Sequence, residues 1–489
     1  MNSVSDRESS TLALDGVFTP PSREQWVSAA AAGADDAQSP TDTLAQMRTT
    51  TLEGIALEVL YDSAQSEVRV KTKAASSAAI DNRVSVTVHD AAIANTAVLN
   101  ALSGGASSIE LHVDSAAVLP SVLRGVKLDI ASISIRSGDQ YQPCAEELKK
   151  LAEQQNLSSN GITCYSNVDP IGNVLDHGGQ QALVKSQLER MSEFVQTNQN
   201  SVNQTPTVLV DAAMHHNAGA STVEELHAAL ATAALYLETL TESGMGIQDA
   251  FAHISFQMAM DADVLLGVAK LRALNSLWLH VASSMDSSFD QNRTHSSYVV
   301  AETSHRYLSR LAPWNNHLRN LAASTAAMLG GVDALIVHPH DRLEHNQEGP
   351  QEGSDSQLGI RMARNVATIL ERESGLSHVH DPMAGSYAIE NLTQELMQHT
   401  WQSLASTDTA EGWLDELFSG RWQTRLTQSH KLRLTLLQQE KKISVGVNRF
   451  TEGTETATNA AVRTNADSLL LPVRDSKSFE EATTGGQTT

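Results

Sequence analysis

The stretch Asp211-Ala-Ala-Met214-His215-His216-Asn217-Ala218-Gly219-Ala220 places two adjacent imidazoles at the end of an apolar run, Thr207-Val-Leu-Val-Asp211. Such a pair can serve a metal, move a proton, or pack. On an extended segment neighbouring side chains point to opposite sides, so only one of His215 and His216 would face an interior. The ordinary alternative is one solvated ring and one hydrogen-bonded ring. Further histidines follow other apolar runs: His89, His112, His338 and His340, with His378 and His380 in a separate His-x-His-Asp stretch. Zinc sites need three or four ligands in a set order, and none assembles here, so no metal site is expected. Carboxylates near strand ends are few: Asp90, Asp114, Asp211 and Glu302, with Asp169 after a shorter loop. No general acid–base pair stands out among them. The chain has no Walker-type glycine loop, no Gly-x-Ser-x-Gly elbow and no Cys-x-x-Cys pair.

These groups need a scaffold, and the pattern around them supplies one. Short β-branched runs alternate with Ala/Leu stretches of helical period from about residue 81 onward. The runs are VSVTV (84–88), SIELHV (108–113), SISIR (132–136), GITCYS (161–166), TVLVD (207–211), HISFQM (253–258), YVVAE (298–302) and ALIVHP (334–339). Eight strand–helix repeats over such a length predict a closed (β/α)₈ barrel of the TIM type rather than an open doubly wound sheet. Its site would lie at the C-terminal ends of the strands, where the histidines fall. Residues 1–80 read as an N-terminal extension that wraps the barrel or meets a partner. Residues 81–450 read as the barrel with a trailing helical region. Residues 451–489, rich in Thr, Gly and acids, read as a flexible tail in which SLLLPV alone could dock. The basic residues Lys270, Arg272, Arg306, Arg310, Arg319, Arg361 and Arg364 fall in helical stretches and read as solvated helix faces.

With 489 residues and 41% hydrophobic composition, the chain can bury a large core. A net charge of −23 opposes nucleic acid and anionic membrane surfaces as partners, though it permits an anionic small ligand in a local basic pocket. Two cysteines, Cys144 and Cys164, fit a reducing compartment. No signal-peptide core or run of 18 apolar residues is present, so a cytoplasmic protein is expected.

Four segments carry more specific wording: AKLRALNSLWLHV (269–281), TSHRYLSRLAPWNNHLRNLAASTAAMLGGVDALIVHPHD (303–341), RMARNVATILERESGLSHVHDPMAGSYAIENLTQEL (361–396) and ISVGVNRF (443–450). In this order they resemble the adenosylcobalamin-dependent methylmalonyl-CoA mutase family. The resemblance implies a (β/α)₈ barrel through whose axis an acyl-CoA threads in the active subunit. It also implies a flavodoxin-like domain that binds cobalamin through the His of an Asp-x-His-x-x-Gly motif. No such motif occurs in these 489 residues, so that domain, and with it any cofactor of this chain's own, is expected to be absent.

The resemblance also assigns the opening stretch. The active subunit is similar to Tyr-His-x-x-x-Ala-Gly-Ala here, with the His on the substrate thioester carbonyl. Aligning Ala218-Gly219-Ala220 puts Met214 at that His and Ala213 at the Tyr, leaving His215 and His216 out of register as fallback candidates. The active family's Arg-Asn-Thr-Tyr segment, whose Arg holds the substrate carboxylate, is replaced by CYSNVDPIG (164–172), and the Thr-Met-Tyr segment has no counterpart before RVSVTVHD. VDPIG and HNAGAS look like the wording of the small, or beta, subunit. The resemblance therefore implies a non-catalytic small subunit in a heterodimer, its larger partner holding adenosylcobalamin and interconverting (R)-methylmalonyl-CoA and succinyl-CoA. The segment 269–281 and the N-terminal extension are the expected partner contacts, and residual coenzyme A binding is a further possibility. The alternative is a competent acyl-CoA mutase barrel that borrows a cobalamin domain from a separate chain.

Overall fold

The computed structural model describes residues 21–32, 39–62, 70, 79–158, 161–198, 205–291, 297–344, 356–407, 409–451 and 467–485. The chain divides into two units, Met1–Tyr61 and Asp62–Thr489. In the first, the described elements are the helices Arg23–Ala32 and Pro40–Met47 and a hairpin pairing Thr49–Thr50 with Ala56–Leu57. Ser39 caps the second helix by accepting the Asp42 amide, with proline at its first position.

The second unit is built on eight strands: β1 (Asp81–Thr87), β2 (Ser108–His112), β3 (Ser132–Arg136), β4 (Cys164–Tyr165), β5 (Val208–Asp211), β6 (Ile254–Met260), β7 (Val299–Thr303) and β8 (Ala334–Ile336). Each overlaps one of the eight runs expected from the sequence, the first beginning three residues earlier than its run. They pair in parallel in the order β4-β3-β2-β1-β8-β7-β6-β5. A parallel bridge between Val168, just past β4, and Val208 joins the two ends and closes the ring. There the Val168 amide donates to the Thr207 carbonyl at 3.0 Å and the Leu209 amide to the Val168 carbonyl at 3.1 Å.

Strand periodicity sorts the side chains. On β2 and β3, Ile109, Leu111, Ile133 and Ile135 join Val98, Leu119, Val122 and Leu148 in one apolar cluster outside the barrel wall. Their alternates Ser108, Glu110, Ser134 and Arg136 therefore face the axis. The crossover helices are α1 (Ala91–Ser103), α2 (Leu119–Val122), α3 (Tyr141–Gln154), α4 (Ala182–Asn198), α5 (Thr222–Glu242), α6 (Val264–Met285), α7 (Asn315–Leu329) and α8 (Ser356–Arg372). Beyond them lie α9 (Tyr387–Ala405), α10 (Ala410–Phe418) and α11 (Arg421–Gln438), and then α12 (Lys477–Gly485).

Three expectations change. The segment 269–281 lies inside α6, where Lys270, Leu271, Arg272, Leu274, Leu277 and Trp278 are buried, so it is core and not a partner surface. Lys270 and Arg272 are correspondingly not solvated: the Lys270 ammonium lies 2.7 Å from Glu225, and Arg272 pairs with Glu390 at 2.7 Å and with Asp381. Burying a charge is tolerable because each meets a carboxylate.

The expected flexible tail is ordered in its described part. The Leu469 amide donates to the Leu175 carbonyl, the Val473 amide to that of Asn217 and the Asp475 amide to that of Arg306. Asp475 pairs with Arg433 at 2.6 Å and Glu480 with Arg474 at 2.7 Å. This segment ties together the loops that follow β4, β5 and β7.

Candidate functional site

The two histidines of the opening stretch do not lie on extended chain. Residues Ala213–Asn217 form a short helix, and the Asp211 carboxylate accepts the Met214 amide at 3.3 Å. Gly219, at φ +116°, turns the chain out of it, and a Cβ there would meet the His430 Cβ and the Leu426 carbonyl at 3.0 Å. Consecutive helical residues diverge by about 100°, so the expected opposite facing of His215 and His216 gives way to two neighbouring directions.

Both rings are buried, and neither is solvated. His215 Nδ1 accepts the Trp422 indole N–H at 3.0 Å, with Trp413 also beside the ring. His216 Nε2 meets the Ser304 hydroxyl at 2.8 Å, and its Nδ1 lies 3.4 Å from Glu225. Burial lowers the pKa of each to about 4, for His216 with help from the Arg306 guanidinium, so both are neutral at physiological pH. Arg306, read from sequence as a helix-face cation, is buried and donates to the carbonyls of His216 and Ala220. The imidazoles are thus held between the barrel wall and its surrounding helices. Met214 is half-buried.

The barrel axis is occupied by other residues, of which the sequence reading singles out only the strand-end carboxylates Asp211 and Glu302. Near the strands' N-terminal ends, Arg83 donates to Ser108 at 2.9 Å, to Asp81 at 2.9 Å and to the Tyr298 hydroxyl at 3.0 Å, with its guanidinium over the Tyr165 ring. One layer up, Arg136 pairs with Asp211 at 2.7 Å, donates to Gln257 Oε1 at 2.8 Å and lies 3.5 Å from Glu110. Gln257 donates to Glu302 at 2.9 Å, and Asn217 reaches the other Glu302 oxygen at 3.3 Å. Strands β2, β3, β5, β6 and β7 therefore contribute to one polar network across the axis.

Charge is balanced unevenly along this network. Burial would raise the Glu110 carboxyl, yet Arg136, His112 and Arg83 hold it well below the usual range. Glu302 goes the other way: burial and the nearby Asp211 charge push it up to about 7.

At the mouth, Glu302, His305 and His338 bring ligand atoms within 4.8 Å of one another. His305 and His338 meet through their Nε2 atoms at 2.7 Å, and Arg342 donates to His338 Nδ1 at 2.9 Å. That donation leaves the His338 proton on Nε2, from which it bonds to His305. A cation here would have to displace that proton beside a guanidinium, whereas metal-bound histidines ordinarily donate from their second nitrogen.

The other candidates scatter. Asp90 caps α1, Asp169 caps the helix Pro170–Asp176 and accepts the Tyr236 hydroxyl at 2.5 Å, and Asp381 serves Arg272. His340 stacks on His317, and His89 is exposed. In CYSNVDPIG, Asn167 donates to Ser134 at 2.6 Å and Val168 closes the barrel, so the segment seals the wall.

A family model described as Methylmalonyl-CoA mutase matches residues 103–476. The chain belongs to the methylmalonyl-CoA mutase family. Its relatives include the methylmalonyl-CoA mutase small subunit of Streptomyces virginiae, 32% identical over 80% of this chain and 62% of that protein. The probable small subunit of Mycobacterium tuberculosis (strain ATCC 25618 / H37Rv) is 31% identical over 66% of this chain and 51% of its own length. The small subunit of Propionibacterium freudenreichii subsp. shermanii is 28% identical over 65% and 48%. The match thus spans about half to three fifths of the length of these relatives. Within this mutase-family barrel, the axial arginines Arg83 and Arg136 are engaged by partners in the chain itself.

Proposed function

We propose that the chain is the non-catalytic small subunit of a methylmalonyl-CoA mutase. It pairs with a larger catalytic chain that binds adenosylcobalamin and interconverts (R)-methylmalonyl-CoA and succinyl-CoA, and it works in the cytoplasm. The observation that carries the reading is the network across the axis in which Arg136 holds Glu110, Asp211 and Gln257, and Gln257 holds Glu302. Threading a pantetheine through it would strip buried charges of their partners, at a cost of several kcal/mol for each. The packing of His215 against Trp422 and of His216 against Ser304 supports the same reading, since neither ring is offered to a thioester oxygen. The residues at the mouth do not fit a cobalt ligand: the sequence has no Asp-x-His-x-x-Gly, and His305 and His338 bond to each other. No cofactor is therefore assigned to this chain.

The role left to it is to bury and stabilise a partner surface, as obligate interfaces of about 2,000–5,000 Å² do. Co-expression with the catalytic mutase chain of the same source tests this. A 1:1 complex in light-scattering chromatography, with mutase activity that falls when this chain is withheld, is the expected result. Two chains that elute separately, with full activity in the larger one alone, would contradict it.

A further inference from the structure

The barrel wall is not continuous between β1 and β8. Their pairing runs from Asp81–Ala334 to Arg83–Ile336 and stops there, while β1 continues to Thr87 against β2 alone. Val84, Ser85 and Val86 are in consequence only half-buried, although β6 is buried throughout its length. A strand edge with no neighbour leaves backbone donors and acceptors unpaired, and something ordinarily covers it.

The seam opens into a cavity of about 590 Å³ enclosed by β1, the end of β8, α1 and α8. That volume lies in the range of small-molecule sites, which are mainly apolar with a few placed polar groups. Its walls are Val84, Val86, Ile93, Ala97, Ile336 and Ile360. Arg361 and Arg364, one turn apart on α8, supply its cationic side, and neither has a carboxylate partner among the described residues. Among the described residues the Arg364 guanidinium reaches only the Asn100 carbonyl, at 3.4 Å, and its buried Nε has no partner there. Burial and the Arg361 charge lower the Arg364 pKa, as expected for a cation lacking compensation. Two carboxylates also line the cavity, Asp90 and Asp341, the latter buried with its Oδ1 3.9 Å from His340 Nδ1. Asp90 accepts the Ala92 and Ile93 amides at 2.8 and 2.9 Å, and Asp341 stands against Gly359 in the first turns of α8.

We propose that this cavity binds a small amphiphilic anion, its apolar body against Val84, Val86 and Ile360 and its oxyanion head on Arg361 and Arg364. Guanidiniums recognise carboxylate and phosphate alike, so the shared chemistry is a single oxyanion on an apolar chain. The site lies in the barrel wall, with Arg83, His338 and Arg342 also on its lining, and does not depend on the small-subunit role.

The probe is 1-anilinonaphthalene-8-sulfonate, titrated into the folded full-length chain and displaced by octanoate, octyl phosphate or 1-octanol. Saturable binding at one site is expected, displaced by either anionic amphiphile and not by the alcohol, with the stronger displacer identifying the head group. Arg361→Gln with Arg364→Gln should weaken binding at least about tenfold, and Ala97→Trp should abolish it by filling the space while the circular dichroism stays native. The absence of saturable binding would overturn the proposal, as would binding unchanged in both variants or equal displacement by octanol.

Discussion

Arg136 holds Asp211, Gln257 and Glu110 at one point on the axis, and removing it would leave three carboxylates, counting Glu302, facing one another. Stripping one partner from a buried ion pair costs about 3–5 kcal/mol, so Arg136→Ala should lower the unfolding free energy by that amount in urea titrations. Glu302 gives a sharper signature. Its folded pKa is about 7 against an ordinary 4.5, so folding favours its protonated form. That contribution is complete below pH 4.5 and is lost as pH rises through 7. Glu302→Gln should therefore erase roughly 3 kcal/mol of the stability that the wild type loses between pH 5 and 8. His215 and His216 act at the other end. Their pKa values fall from 6.5 to about 4, so their contribution stands above pH 6.5 and is lost as pH falls through 4. His215→Gln, which keeps an acceptor for Trp422, should flatten that acid limb in the same titrations. The histidines were visible in the sequence and their surroundings were not. Only the fold brings Trp422 to His215, 207 positions away. Glu110 and Gln257 did carry a readable signal, as polar residues inside otherwise apolar strands.

Among the elements, the eight strands were legible because β-branched runs bounded by helical periods leave little choice. The short helix Ala213–Asn217 was missed, although Asp211 three residues before the Met214 amide is a capping signal. The tail was missed for a different reason. Its ordering rests on contacts with Leu175, Asn217, Arg306 and Arg433, none of which its own composition reveals. Asp475 is nine-tenths buried beside Arg433, and Arg306 contributes to holding its carboxyl below the ordinary range against the effect of burial. Asp475→Asn should cost about 3 kcal/mol and loosen the segment from Asp467 to Glu480. Faster amide hydrogen exchange at Val473 and Asp475 would report it, and unchanged exchange would mean that backbone contacts alone hold the segment.

At the scale of the whole molecule, the barrel axis is filled by the chain's own charges, and the described part of the tail spans segments that follow β4, β5 and β7. The family was readable in ordered segments of sequence, whereas the filling of the axis depends on which strand residues face inward together. The most direct test is turnover of (R)-methylmalonyl-CoA by the purified chain, supplied with adenosylcobalamin and a separate cobalamin-binding domain. The account predicts none above background until a catalytic mutase barrel is added. Formation of succinyl-CoA without that second barrel would contradict it.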